Sequence, residues 1–195
     1  LDEVGTDILM VAEAWVPTEA DAALYVRADE MSQAFNFPFL VAGWDAAELR
    51  RVIDVSLAEY GAVGAPATWV LSNHDRPRHV TRYGGGELGT RRARAAALLQ
   101  LALPGAAYLY NGDELGMPDV DLPDEVLQDP IWFRSGGAER GRDACRIPVP
   151  WSGTEPSYGF STAPDTWLPM PEGWAGLTDV AQRADAGSMK SLYRD

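Results

Sequence analysis

An α/β fold of consecutive strand–helix units is what this sequence predicts, and three observations predict it. Short apolar runs that read as strands begin near residues 7, 32, 67 and 107. Each interval between them has room for a helix, and two of the intervals carry clear helical patterning. Gly and Pro clusters mark the ends of those helices. Strands separated in this way by helices pair as a parallel sheet with right-handed crossovers.

The first strand, Asp7–Ala12, is followed by a helical stretch, Thr18–Val26, with Glu19 and Asp21 in its first turn. Ser32–Phe37 reads as the second strand. Asp45-Ala46-Ala47-Glu48 has the form of a capping box. Leu49, Val52, Ile53 and Leu57 then share one helical face, which predicts a helix over Asp45–Tyr60 that Gly61, Gly64 and Pro66 stop. Ala67–Leu71 is the third strand, followed by a loop containing Gly84-Gly85-Gly86. Thr90 is placed to cap a helix from Arg91 to about Leu103, with Ala95, Leu98, Leu99 and Ala102 inward. Pro104-Gly105 ends it, and Ala107–Tyr110 is the fourth strand. From Gly116 to Glu172 the chain is rich in Pro, Gly, Trp and Asp and nearly aperiodic, which reads as an elaborated loop region (116–172) within one partial domain, 1–195. Helical patterning resumes at Thr178–Ala184 and again from Ser188.

Four such units amount to half of an eight-stranded barrel, whose open edges need the other half from the same chain or a partner chain. The 195 residues carry 29 acidic against 16 basic side chains, a net charge of −13, which disfavours nucleic acid and suits a neutral partner. No apolar run is long enough to span a membrane. A single cysteine, Cys145, allows no internal disulfide and favours a reducing, cytoplasmic setting. Two histidines and one cysteine give no support for a zinc site. Seven tryptophans and seven tyrosines offer faces for sugar rings, although core packing accounts for aromatics equally well.

Two acidic segments follow strands: Val11-Ala12-Glu13-Ala14-Trp15 and Ser72-Asn73-His74-Asp75. Alone, a Glu at a strand end is ordinarily a solvated charge, and Asn and Asp are common loop residues. Their shared place, at the C-terminal ends of parallel strands, is where barrel enzymes gather their catalytic groups. Carboxylates delivered from separate strands suit acid-assisted cleavage of an acetal. Asp113 and Glu114 are adjacent in a turn, which favours structural hydrogen bonding. Cys145 has no mark of an activated thiol. Trp132, Trp151, Trp167 and Trp174 fit either a sugar approach or loop packing, and Arg78 and His79 have no role beyond their loop.

The ordered segments resemble the C-terminal half, strands 5 to 8, of the TIM (β/α)8 catalytic barrel of the α-amylase superfamily, glycoside hydrolase family 13. The similarity is greatest to the bacterial α-glucosidase branch, with its maltases and oligo-1,6-glucosidases. Val11–Trp15 resembles the strand-5 motif, Phe35-Asn36-Phe37-Pro38-Phe39 the strand-6 segment, Ser72–Asp75 the strand-7 motif and Tyr108–Gly116 strand 8 with its turn. Gly141-Arg142-Asp143-Ala144-Cys145-Arg146-Ile147-Pro148-Val149-Pro150-Trp151 resembles a loop segment of the α-glucosidase branch.

The resemblance implies a retaining glycosidase that removes terminal α-linked glucose from short gluco-oligosaccharides and needs no organic cofactor. Glu13 would be the general acid and then base, its partly apolar setting raising its pKa. Asp75 would be the transition-state stabiliser, and His74 and Arg142 would bind the sugar. The family nucleophile, an Asp in an Arg-x-Asp segment at the end of strand 4, has no counterpart before Val11. Asp2 and Asp7 lie before and at the start of the strand-5 run and do not match it. The 195 residues alone are therefore expected to be inactive. A transglycosylating relative, trehalose-forming or sucrose-acting, is the first alternative. A non-catalytic homologue is the second, against which stand Glu13 and Asp75.

Overall fold

In the computed structural model, which describes residues 8–195, the four strands form two parallel pairs. β1 (Val11–Ala12) pairs with β2 (Gln33–Ala34), Val11 opposite Gln33, and β3 (Thr68–Val70) pairs with β4 (Ala106–Tyr108), Trp69 opposite Ala107. Between them come α1 (Glu19–Ala23), α2 (Phe37–Val41), α3 (Ala46–Ala62), α4 (His79–Arg82) and α5 (Gly86–Ala102). After β4 follow α6 (Pro130–Arg134), α7 (Asp179–Arg183) and α8 (Met189–Arg194), with single turns of 3-10 helix among them. The α/β class and the strand–helix alternation are those expected. The start of the first expected strand, Asp7, lies outside the described residues.

The chain divides into two compact units. One runs up to Leu71 and takes in Leu98–Tyr108; the other is Ser72–Ala97 with Leu109–Asp195. In the first, Phe37, Leu40 and Val70 are buried together with Phe35 and Tyr108 against them. The Phe39 and Trp69 rings meet edge to face at 5.1 Å. Polar side chains tie the strands. Thr68 Oγ1 donates to the Ala34 carbonyl at 2.5 Å, linking β3 to β2. The buried Gln100 amide donates to the carbonyls of Trp69 and Tyr108, both at 2.8 Å, and so bridges β3 and β4.

Helix starts follow local chemistry. Thr18 and Asp45 cap α1 and α3, the Asp45 carboxylate accepting from Glu48 N at 2.8 Å. The second arm of the expected box goes elsewhere: Glu48 Oε2 accepts from Gly43 N at 3.1 Å. Leu49 and Val52 are buried as expected, and the face continues through Ser56 and Tyr60 while Leu57 is exposed.

Three expectations are corrected. The second strand ends at Ala34, because the Asn36 side chain accepts from Phe39 N at 3.0 Å and Pro38 occupies the first turn of α2. An apolar run with Asn ahead of Pro starts a helix rather than extending a strand. α5 begins at Gly86, and Thr90, inside the helix, donates to the Gly86 carbonyl at 2.9 Å instead of capping. The buried face of α5 is Ala93, Ala96, Ala97 and Gln100, with Leu98 57% exposed. The period was right and the phase wrong: close packing puts the alanines inward and leaves the larger leucines outside.

In the second unit, the Pro- and Gly-rich stretch after Gly116 folds around Leu115, Met117, Leu127, Ile147 and Leu168. Trp132 and Trp174 pack on that cluster, whereas Trp151 and Trp167 are exposed. Val80, Ala93 and Met189 form a second cluster that brings α8 onto α4 and α5. α7 and α8 form where helical patterning resumes, capped by Thr178 and Ser188.

Candidate active site

The Ser72–Asp75 segment follows β3 directly. An Asx turn shapes it, with Asp75 N donating to Asn73 Oδ1 at 3.0 Å. This turn presents the Asp75 carboxylate to two guanidinium groups from the Gly141–Arg146 segment. Arg142 Nη1 donates to Asp75 Oδ1 at 2.7 Å and Arg146 Nη2 at 3.3 Å, while His74 Nε2 stands 3.4 Å from the same oxygen. Arg146 Nε also donates to the His74 carbonyl at 2.8 Å, which fixes the loop backbone. Partial burial alone would raise the Asp75 carboxyl. The Arg142 hydrogen bond and the charges of His74, Arg142 and Arg146 outweigh it and hold Asp75 below the usual carboxylate range. Asp75 is therefore an anion at neutral pH, partly exposed and able to accept from a ligand.

Behind Arg142 lies Asp129, a buried carboxylate at the start of α6. It accepts from Arg142 Nε at 2.7 Å and from Arg142 N at 3.0 Å. The Arg142 hydrogen bond holds Asp129 far below the usual carboxylate range. In the same way the two carboxylates raise Arg142 further. The cleft beside Asp75 and Arg142 measures about 50 Å³, room for a water or two and not for a sugar ring. Neither unit by itself, among the described residues, gathers three His, Cys, Asp or Glu ligand atoms for one metal ion.

Under the Asp75 loop sits a buried polar group that sequence reasoning left without a role. The Ser72 hydroxyl accepts from His79 N at 3.0 Å and lies 2.7 Å from His79 Nδ1. Arg78 Nη1 reaches Asp113 Oδ1 at 3.5 Å, and Nη2 donates to the Asn111 carbonyl at 3.0 Å. The Arg78 guanidinium also stacks 4.5 Å above the Tyr110 ring. Burial pushes His79 down to about 3, with Arg82 and Arg78 adding to it, so its 3.7 Å approach to Asp113 is not an ion pair. Burial pushes Asp113 up to about 7, against the opposing pull of Arg78 and Ser72. Asp113 and Glu114 do structural work: Glu114 Oε2 accepts from Gly112 N at 2.8 Å. Burial likewise raises the Cys145 thiol to about 11, leaving it unreactive.

A family model for the catalytic domain of alpha-amylase matches residues 1–194. The chain belongs to the alpha-amylase family. Among its curated relatives is a probable alpha-glucosidase of Rhizobium meliloti, 34% identical over 170 residues, which cover 85% of this chain and 30% of that protein. Among solved structures, the alpha-glucosyl transfer enzyme XgtA superposes with a TM-score of 0.84 at 31% identity, over 95% of this chain and 34% of the other. Trehalose-6-phosphate hydrolase of Bacillus licheniformis follows, with a TM-score of 0.75 at 26% identity, over 95% and 39%. The chain thus spans about a third of the length of the relatives it matches.

Of the residues singled out in the sequence of this alpha-amylase family member, His74, Asp75 and Arg142 come together in one unit. Glu13 belongs to the other, immediately after β1. Its side chain is exposed. Trp15, two residues on, stacks on Phe37 with ring centroids 3.8 Å apart. Arg146 and Asp129 were missed. Arg146 had a signal, since it lies four residues after Arg142 in the same motif. Among the described residues no helix is long and apolar enough to cross a membrane.

Proposed function

We propose that this chain is strands 5 to 8 of the catalytic barrel of a retaining α-glucosidase, with β1 to β4 in those places. Glu13 is the general acid that protonates the departing glycosidic oxygen, and then the base that activates water. Asp75 is the anion that accepts from sugar hydroxyls and opposes the positive charge of the oxocarbenium-like transition state. His74 and Arg142 bind the sugar. The nucleophile comes from the other half of the barrel, outside this sequence. Ile8, Leu9 and Leu109 are exposed, which supports a barrel core that has partners still to meet.

The observation that carries the reading is Asp75, kept ionised at a strand end by two arginines. The substrate is an uncharged gluco-oligosaccharide. Arg142 and Arg146 are matched by Asp75 and Asp129, so the cluster carries no surplus charge to draw a phosphorylated sugar. Glucosyl transfer is the second reading, favoured by the similarity to the alpha-glucosyl transfer enzyme.

The test is Glu13→Gln in the complete protein. Turnover of maltose, whose leaving group needs a proton, should fall about 100-fold or more, and that of an activated aryl glucoside far less. Equal losses on both would remove Glu13 from the acid role. Product analysis separates the two readings, since hydrolysis releases free glucose and transfer gives new glucosides.

A further inference from the structure

We propose that Asp129 is a positioning residue that fixes the guanidinium plane of Arg142 for its work at Asp75, an inference that rests on the glucosidase reading above. Arg142 is a long side chain, 41% exposed, and left to itself would sample many rotamers. Asp129 removes that freedom. Its Oδ2 accepts from Arg142 Nε at 2.7 Å and its Oδ1 lies 3.4 Å from Nη2, so one edge of the guanidinium fork is held by a buried carboxylate. Only Nη1 is left to face Asp75, at 2.7 Å. A lysine in place of Arg142 has no edge to give up and could not be oriented in this way.

Asp129 is itself held from three sides by the same tripeptide. Gly141 has φ +75°, and a Cβ there would lie 2.6 Å from Asp129 Cβ and 2.8 Å from Ile131 Cγ2. Glycine is required both by the backbone and by the closeness of Asp129. Arg142 N donates to Oδ2. The buried Asp143 carboxylate accepts from Asp129 N at 2.8 Å and from Gln128 N at 2.5 Å. Gly141, Arg142 and Asp143 therefore wrap Asp129 in turn, giving it space, a charge partner and a fixed backbone. Asp129 closes the ring by accepting from Ile131 N at 3.1 Å, which caps α6. The arrangement sets the donor in place before any ligand arrives, which is what transition-state stabilisation requires.

The experiment is a double-mutant cycle in the complete protein, read as kcat/KM on maltose with Asp129→Asn, Arg142→Ala and both. Asp129→Asn should lower kcat/KM about 100-fold, as loss of orientation by an ångström does. In the Arg142→Ala background it should cost less than about threefold, because its effect passes through Arg142. The acid limb of the pH profile should move upward in the single variant, as Asp75 loses a well-held cation. An equal loss in both backgrounds would overturn the proposal, since it would show an independent structural role. Arg142→Lys guards against a misfolded Asp129 variant: it should be as impaired as Arg142→Ala, and a lysine that restores activity would show that orientation is unnecessary. A parent protein inactive on every α-glucoside would instead reject the glucosidase reading, an outcome visible before any variant is made.

Discussion

Asp113→Asn should expose an acid sensitivity that the native protein conceals. Asp113 ionises near 3.8 when unfolded and near 7 in the buried site, so between those values the folded state holds one proton more. Stability from this group consequently falls as pH rises through that window. His79 runs the other way. It takes up its proton near 6.5 when unfolded and only near 3 when folded, so the unfolded state holds the extra proton and stability falls as pH falls. Each contributes a slope of about 1.4 kcal/mol per pH unit, of opposite sign, from about pH 4 to about pH 6.5. In the parent the two nearly cancel. Asparagine keeps the size and an acceptor for Arg78 but removes one titration, while His79 remains held neutral by burial, Arg82 and Arg78. Urea titration of the complete protein checks this. Raising the pH from about 4.5 to about 6.5 should stabilise the variant by about 3 kcal/mol more than it stabilises the parent. Parallel pH dependences in the two proteins would refute the reasoning and mean that Asp113 is ionised throughout, paired with Arg78.

Two further outcomes follow from the geometry. Gly141→Ala should lose activity about as severely as Asp129→Asn, because its Cβ would push Asp129 off the Arg142 edge, and should cost about 1–3 kcal/mol through the strained backbone; activity close to the parent's would show that Asp129 has room to move. Asp45→Ala should destabilise the protein by about 1 kcal/mol through the lost cap of α3, with Asp45→Asn close to neutral, as measured by urea unfolding.

What the sequence made legible was decided within a few residues. Asp45 caps α3 as its local pattern predicts, because capping needs only one side chain and the amides that follow it. The strand–helix order was equally visible. The phase of α5 was not, because alternative faces of a helix rich in Ala and Leu differ in what packs against them, and that is set by other elements. The α2 start was misread for a different reason. Phe35, Phe37 and Phe39 alternate as a strand would, and the capping by Asn36 overrides that period.

The same distinction separates the parts of the candidate site. His74, Asp75 and Arg142 were found because each sits in a run of residues that repeats the pattern of a known family. Asp129 has no such run, and in sequence it is only an Asp before a Pro, the ordinary beginning of a helix. Its second use becomes visible when Gly141 is seen pressed against it and Arg142 turned along its edge. Asp143 completes the argument. Its carboxylate makes no bond to Asp75 or Arg142; it accepts from the backbone of Gln128 and Asp129. A charged residue between the two arginines that meet Asp75 would naturally be assigned to the same cluster, yet here its carboxylate accepts from backbone amides and supports the support. The resemblance to a family segment thus brings Gly-Arg-Asp into the candidate site. The division of labour within it follows from what each side chain touches: Gly141 leaves space, Arg142 reaches outward and Asp143 fixes the carboxylate that orients Arg142.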